Sequence, residues 1–343
     1  MTKKAFVLGG TGLIGRALVP DMLAAGWELT VASRSGIPAD ARWAAEVEHV
    51  LFDRETASLR DIVRSGYDTL IDIVAYEPEA ARQLSELRDR IGAVIVVSTM
   101  SVYADDHGRS MDDADTPDHF PDLPQPIPES QRTVKASSAT YSTKKVAIEK
   151  ALLADAKVPV TIVRPGMIYG VGDKSSREWF FVKRVRDGRR HLVLAYEGAT
   201  PVSVIASRNL AELIRLAANT PGTRIVNAAD PQPQTARSIG FAVSKVLDHE
   251  WDELLLQGPS PQEPIGETPW SSPGPFVIDI RKAKEELGYE GRVEYEDALT
   301  ETCEWLLSAT AQSDWTEVLP NAQKYYGSLF DYGAEDELLS HLG

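Results

Sequence analysis

A single cysteine, Cys303, stands among 343 residues, so no disulfide can close within the chain. That fits a reducing compartment, and the cytoplasm is expected. Positive charge is the scarce sign: 36 Lys and Arg face 51 Asp and Glu, for a net charge of -15. Nucleic-acid binding needs a basic face, so no nucleic-acid partner is expected, and the acidic excess serves solubility. No apolar run approaches the ~20 residues of a membrane helix, so no membrane partner is expected. An apolar strand begins at Ala5, so no signal peptide is expected. The six histidines show no HExxH or other clustered spacing, and no metal is expected. No internal repeat is evident.

What the chain does have is a glycine-rich turn at its start. Lys4-Ala5-Phe6-Val7-Leu8 runs into Gly9-Gly10-Thr11-Gly12-Leu13-Ile14-Gly15. Gly9, Gly12 and Gly15 fit GxxGxxG, and Gly10, Gly12 and Gly15 fit GxGxxG. Glycine permits the tight turn, lets backbone N–H groups approach a pyrophosphate, and brings the next helix close to the strand. The context is the required one: a strand over 5–8, then an amphipathic helix over 16–25 closed by Gly26. A dinucleotide with its phosphates on the helix N-terminus is therefore expected. Thr11, Leu13 and Ile14 join the glycines as cofactor contacts.

Strands and helices alternate beyond this point. Strands are predicted over 28–32, 47–52, 69–74, 93–98 and 160–163, with helices such as 80–91 and 143–156 between them. Such alternation specifies an α/β fold, a Rossmann-type doubly wound parallel sheet. The reading assigns residues 1–165 to the dinucleotide-binding domain and 166–310 to a smaller, mixed C-terminal substrate lobe with segments returning to the core. Residues 311–343 are a tail whose aromatics, Trp315, Tyr325, Tyr326, Phe330 and Tyr332, pack on the body or a partner subunit. Residues 104–138 form a long, acidic, proline-rich loop, expected as a wall of the active-site mouth. Residues 258–275 are a second Pro/Gly-rich connector.

A chemical constellation lies downstream. Tyr141-Ser142-Thr143-Lys144-Lys145 opens a helix, and residues four apart share a face. A neighbouring ammonium stabilises the phenolate and would lower the pKa of the tyrosine for acid–base work. The segment Ser98-Thr99-Met100-Ser101-Val102-Tyr103 ends a strand, where a hydroxyl can bond a reacting oxygen.

With these motifs in order, the chain resembles the extended short-chain dehydrogenases/reductases, also called the NAD-dependent epimerase/dehydratase family. The resemblance spans roughly residues 4–300. It also rests on Pro126-Ile127-Pro128-Glu129, Lys145-x-x-x-Glu149, Arg164-Pro165-Gly166-Met167-Ile168-Tyr169-Gly170, Asn227 before Asp230-Pro231, and Asp279-Ile280-Arg281-Lys282-Ala283 through Leu287-Gly288-Tyr289. It implies catalytic roles for Thr99, Tyr141 and Lys145, the last also binding the nicotinamide ribose. It implies adenine contact at Asp53, nicotinamide-side contacts at Ala75 and Pro165, and pairing of subunits as a homodimer. Hydride transfer on a sugar nucleotide or a similar small hydroxy or keto compound follows, by an oxidoreductase or epimerase. The alternatives are a reductase of a non-nucleotide carbonyl and a non-catalytic, RNA-associated dinucleotide-binding protein.

Departures from the family pattern narrow this. Met100-Ser101 replaces the Asp-Glu that sugar 4,6-dehydratases place after the catalytic threonine, which argues against dehydration. Ser33 stands where NAD-specific members carry an acid on the ribose, and Arg34 follows it. An arginine there suits a 2′-phosphate, so NADP is expected rather than NAD. Arg208-Asn209 replaces the usual Asp-Asp. Tyr103, Arg177 and Arg184 are expected at the substrate, the arginines on a diphosphate; the alternative for Arg177, Arg184 and Arg190 is surface ion pairing.

Overall fold

The computed structural model describes residues 2–114, 116–154 and 157–342. The last two residues of the helix predicted over 143–156, and Asp115 of the 104–138 loop, lie outside them. The first half forms strands β1 Lys4–Leu8, β2 Glu28–Ser33, β3 Glu48–Leu51, β4 Thr69–Asp72, β5 Val94–Val97 and β6 Val160–Pro165. Then come β7 Met167–Tyr169, β8 His191–Leu194, β9 Val204–Ala206, β10 Arg224–Ala228 and β11 Asp252–Leu255.

Seven strands make one sheet in the order β10-β6-β5-β4-β1-β2-β3, and every pairing in it is parallel. Its central strands β4, β5 and β6 are buried along their whole length, as a sheet covered on both faces requires. The strand order reverses between β1 and β4, and ligands of such sheets sit beyond the strand ends at that point. This is the expected Rossmann-type α/β sheet.

The chain divides into two compact units. The first comprises Met1–Gly166, Ser207–Pro231 and Ile278–Arg292. It therefore draws its edge strand β10 and the helix Ser207–Asn219 from well past residue 166; that helix packs on the helix Leu13–Ala24. The second unit comprises Met167–Ala206, Gln232–Val277 and Val293–Gly343. It holds the pairs β8–β11 and β7–β9 and the helices Trp179–Arg186, Ala236–Val246 and Tyr295–Ala309.

Residues 311–343, set apart above as a tail, are part of this second unit. Trp315 stacks obliquely 5.9 Å from Trp179, Phe330 lies 6.3 Å from Phe180, and Arg184 donates to Glu335 at 2.8 Å. Trp315, Phe330 and Tyr332 are what dock it, whereas Tyr325 is 60% exposed. The helix predicted over 80–91 is Glu79–Ser85 followed by turns. Backbone bonds from Leu87 to Leu84 and from Arg90 to Leu87 tighten the chain while keeping Leu84 and Leu87 buried.

Candidate active site

The glycine turn joins β1 to the helix Leu13–Ala24. Gly9 has a φ of 85°, a left-handed backbone that only glycine adopts without strain, and a Cβ there would stand 2.7 Å from Val74. A Cβ on Gly15 would stand 2.3 Å from the Gly10 backbone, so this glycine sets the close approach of helix to turn. Gly12 is exposed, and a Cβ on it would meet only Gly9 O, at 3.6 Å. No side chain caps the helix, so the N–H groups of its first turn are left for an anion. The turn fits a pyrophosphate. Thr11 and Leu13 are half-buried beside it, whereas the Ile14 side chain is core, which leaves its N–H as the group it can offer.

At the end of β2, Ser33 Oγ donates to Ser35 O at 2.5 Å and lies 2.9 Å from His49 Nε2; Arg34 is exposed. Asp53 is half-buried and accepts from Glu55 N at 3.0 Å. Ala75 and Pro165 are buried just past β4 and at the end of β6.

Thr99 follows β5 and caps a short turn, its Oγ1 accepting from Ser101 N at 3.2 Å. Tyr141 is the first residue of the helix Tyr141–Ala154, and Lys145 lies one turn further. The tyrosine is 48% exposed, yet the crowding around its phenol pushes its pKa up to about 12. Burial is the main cause; Tyr76 and Asp112 add to it, and a hydrogen bond with Thr99 opposes it. Lys145 is 1% exposed and donates to Ala75 O at 2.8 Å and Val97 O at 2.9 Å. Its ammonium sits 5.5 Å from the Tyr141 ring centroid and 4.8 Å from that of Tyr76. Burial lowers Lys145 to about 8, against the opposing pull of Asp72 and Glu149. Burial thus favours the neutral phenol, and the Lys145 ammonium stands at the ring face.

The helix that carries this pair is fastened by a buried ion pair one further turn along. Glu149 accepts from Arg164 Nε at 3.0 Å and Nη2 at 2.5 Å, and from Ser98 Oγ at 2.5 Å. The contacts lock helix, β5 end and β6 together. Asn227 does the same for the loop: its N–H donates to Glu129 Oε1 at 2.9 Å and its Nδ2 to Ile127 O and Asp279 O at 3.0 and 3.1 Å.

Two expected substrate residues are corrected by their surroundings. Tyr103 is fully buried; its hydroxyl donates to Asn227 Oδ1 at 2.6 Å and its ring faces Arg164. Arg184 is buried in the second unit, bound to Glu335 and to Leu329 O at 3.3 Å. Burial keeps both from a ligand at the surface. Arg177 is half-buried, close enough to Asp173 and Glu178 to steady both carboxylates. Arg190 makes a surface pair with Asp252 at 3.4 Å.

Residues absent from the sequence reading also border the trio. Tyr76, past β4, presents its ring to Lys145. Asp72 is fully buried and paired with Arg54 beneath it. Asp112, from the acidic loop, bonds Thr140 and Ser142 on either side of Tyr141. Tyr76 carries a signal, an aromatic just beyond an apolar strand; Asp112 carries none, being one acid among many.

A parallel sheet with this order, a phosphate turn after its first strand and a Thr–Tyr–Lys set past its carboxyl ends define a dinucleotide-dependent enzyme of the extended short-chain dehydrogenase/reductase type. The chain belongs to the NAD dependent epimerase/dehydratase family, whose model matches residues 5–229. Among solved structures it is similar to UDP-N-acetylglucosamine 4-epimerase from Methanobrevibacter ruminantium M1, solved with UDP-N-acetylmuramic acid. The identity is 18% and the TM-score 0.67, over 90% of this chain and 99% of that one. It is similar to UDP-glucose 4-epimerase from Thermotoga maritima, solved with UDP-glucose, at 16% identity and a TM-score of 0.66, over 89% and 99% of the two chains. A third is UDP-glucuronic acid 4-epimerase from Bacillus cereus, solved with UDP-glucuronic acid and NAD, at 16% identity and 0.65, over 88% and 98%. Likeness at this identity carries the fold. No curated protein sequence matches the chain.

Proposed function

We propose that the chain moves hydride between a nicotinamide dinucleotide and a sugar nucleotide, as an epimerase or oxidoreductase, with NADP preferred to NAD. The observation that carries this reading is the convergence of Thr99, Tyr141 and Lys145 within the first unit. Tyr141 takes or returns a proton at its phenol oxygen, and Thr99 Oγ1 orients the same substrate oxygen. Lys145 supplies positive charge at the ring face and has one N–H beyond its two backbone bonds for a ribose hydroxyl. When bound, the nicotinamide supplies the hydride acceptor. Met100 and Ser101 offer no carboxylic acid beside Thr99, which favours hydride transfer without loss of water. The sugar nucleotide is supported by the family and by the UDP-sugars held in structures of the same fold.

The NADP preference rests on Ser33 and Arg34. Ser33 sets no charge against a 2′-phosphate, and the exposed Arg34 can pair with one. Fluorescence titration with NADPH and NADH tests it: NADPH should bind more tightly, and Arg34→Ala should erase the difference. Equal affinities in the wild type would remove the preference. Incubation with UDP-glucose or UDP-glucuronic acid and oxidised cofactor should give epimerised or oxidised sugar by NMR; no change in either sugar would remove the substrate class. A cytoplasmic homodimer is part of the same reading, and a monomer by light scattering at micromolar concentration would contradict it.

A further inference from the structure

The hydroxyls beside the reacting pair form a chain that ends on an acid. Thr99 Oγ1 lies 3.1 Å from Ser101 Oγ, and Ser101 Oγ lies 2.9 Å from Ser142 Oγ. Ser142 also donates to Asp112 Oδ1 at 2.7 Å, while the other oxygen of Asp112 accepts from Thr140 Oγ1. Thr140 and Ser142 flank Tyr141, so one carboxylate holds the backbone on both sides of the phenol. Ser142 is fully buried and Asp112 is exposed. The chain therefore leads from Thr99, through a buried hydroxyl, to an acid in water.

Its behaviour follows from counting protons. Ser142 has one O–H and two acceptors within reach. With Asp112 ionised, that proton is held by the carboxylate and Ser101 receives none. With Asp112 protonated, Ser142 is free to donate to Ser101, and Ser101 in turn to Thr99. The direction of the hydrogen bond between Ser142 and Ser101 thus depends on a side chain that does not touch the substrate.

We propose that Asp112 is a positioning residue for proton transfer at Thr99 and Tyr141, acting through Ser142 and Ser101 as a relay to water. The inference rests on the hydride-transfer reading for the reaction it serves. During oxidation the substrate O–H proton passes to the Tyr141 oxygen, the phenol's own proton to Thr99, and each hydroxyl hands its proton on through Ser101 and Ser142 to the Asp112 carboxylate, while hydride leaves the carbon for the nicotinamide. Reduction runs the same path backwards. Lys145 is poorly placed to be the sole outlet, since two of its N–H groups are held by backbone carbonyls.

The test has a substrate-free arm and a kinetic arm. In the first, a difluorotyrosine at 141, whose phenol ionises at accessible pH, is titrated by fluorine NMR in the cofactor-loaded protein. The groups acting on that phenol are Tyr76, Asp112 and Thr99, with Lys145 beside the ring. Asp112→Asn should shift its ionisation to lower pH, and Ser142→Ala, which keeps the charge, should shift it less. In the second arm, with UDP-glucose, both variants should lower kcat by about tenfold, less than a group that touches the substrate contributes, with KM nearly unchanged. The solvent deuterium isotope effect should rise, and Asp112→Glu should restore most of the rate. Unchanged phenol ionisation in Asp112→Asn, or an unchanged isotope effect with active enzyme, would overturn the relay. Wild-type kcat and isotope effect in Ser142→Ala would also overturn the relay, whereas no turnover of the sugar by the unmodified protein would overturn the substrate reading instead.

Discussion

Tyr141 is the residue where opposing effects can be weighed. Burial and the charge of Asp112 hold its proton, and Thr99 loosens it. Tyr141→Phe should cut turnover by about 10²–10⁴-fold and leave cofactor affinity nearly intact, because the ring still fills its place. Lys145→Ala should lose both, and Thr99→Val should slow turnover alone. Steady-state kinetics with cofactor titration checks all three; wild-type kcat in Tyr141→Phe would refute the mechanism. Glu178, in the second unit, gives a separate pH prediction. It is buried beside Asp173, with Ser176 donating to it at 2.8 Å, and burial raises it from 4.5 to about 7. A raised carboxyl binds more protons folded than unfolded between those values, so stability falls as pH climbs through that window. Glu178→Gln should therefore gain stability above pH 7, by up to about 3 kcal/mol, and gain nothing below pH 4.5. Equal shifts in Tm at both ends would contradict this. The trio was legible because a strand-end hydroxyl and a four-residue helical spacing are local signals. The burial of Tyr103 and Arg184 has no local signal, because the groups they bond, Asn227 and Glu335, lie 124 and 151 residues away.

Elements were legible wherever their pattern is self-contained. The six first-half strands fall within two residues of their expected ends, since each is an apolar run bounded by polar turns. The helix Tyr141–Ala154 shows what a pattern leaves out. Its Lys145-x-x-x-Glu149 spacing marks a family, but the reason for the acid is visible only in the packing: Glu149 is the socket for Arg164 of β6 and Ser98 after β5. Both charged partners are 3% exposed, so removing one strands the other. Glu149→Ala should cost about 3–5 kcal/mol in urea unfolding and misplace Lys145 with it. A loss below about 1 kcal/mol, the scale of a surface pair, would show that the site is wetter than its burial implies.

On the scale of the whole molecule, a boundary is expected near residue 165, where strand–helix alternation weakens, with unspecified later segments returning to the core. The alternation weakens there because the chain enters the second unit, but it then returns to the first unit twice. Those returns have no local marker, since β10 and the helix Ser207–Asn219 read like any other strand and amphipathic helix. Residues 1–165 alone lack the strand that pairs with β6 and the helix that packs on Leu13–Ala24. That fragment should fail to fold: circular dichroism should show no cooperative melt, whereas one built from all three segments of the first unit should melt cooperatively. The same threading sets a timetable during synthesis. After β6 emerges, 58 residues lie between Pro165 and Arg224, the start of its partner strand. At about 5–20 residues per second, that is roughly 3–12 s. For that interval the nascent sheet carries β6 as an open edge of unpaired amides, the kind of edge that recruits foreign strands. The ribosome-bound chain is therefore most exposed to misassociation after its nucleotide turn is complete and before residue 228 has appeared.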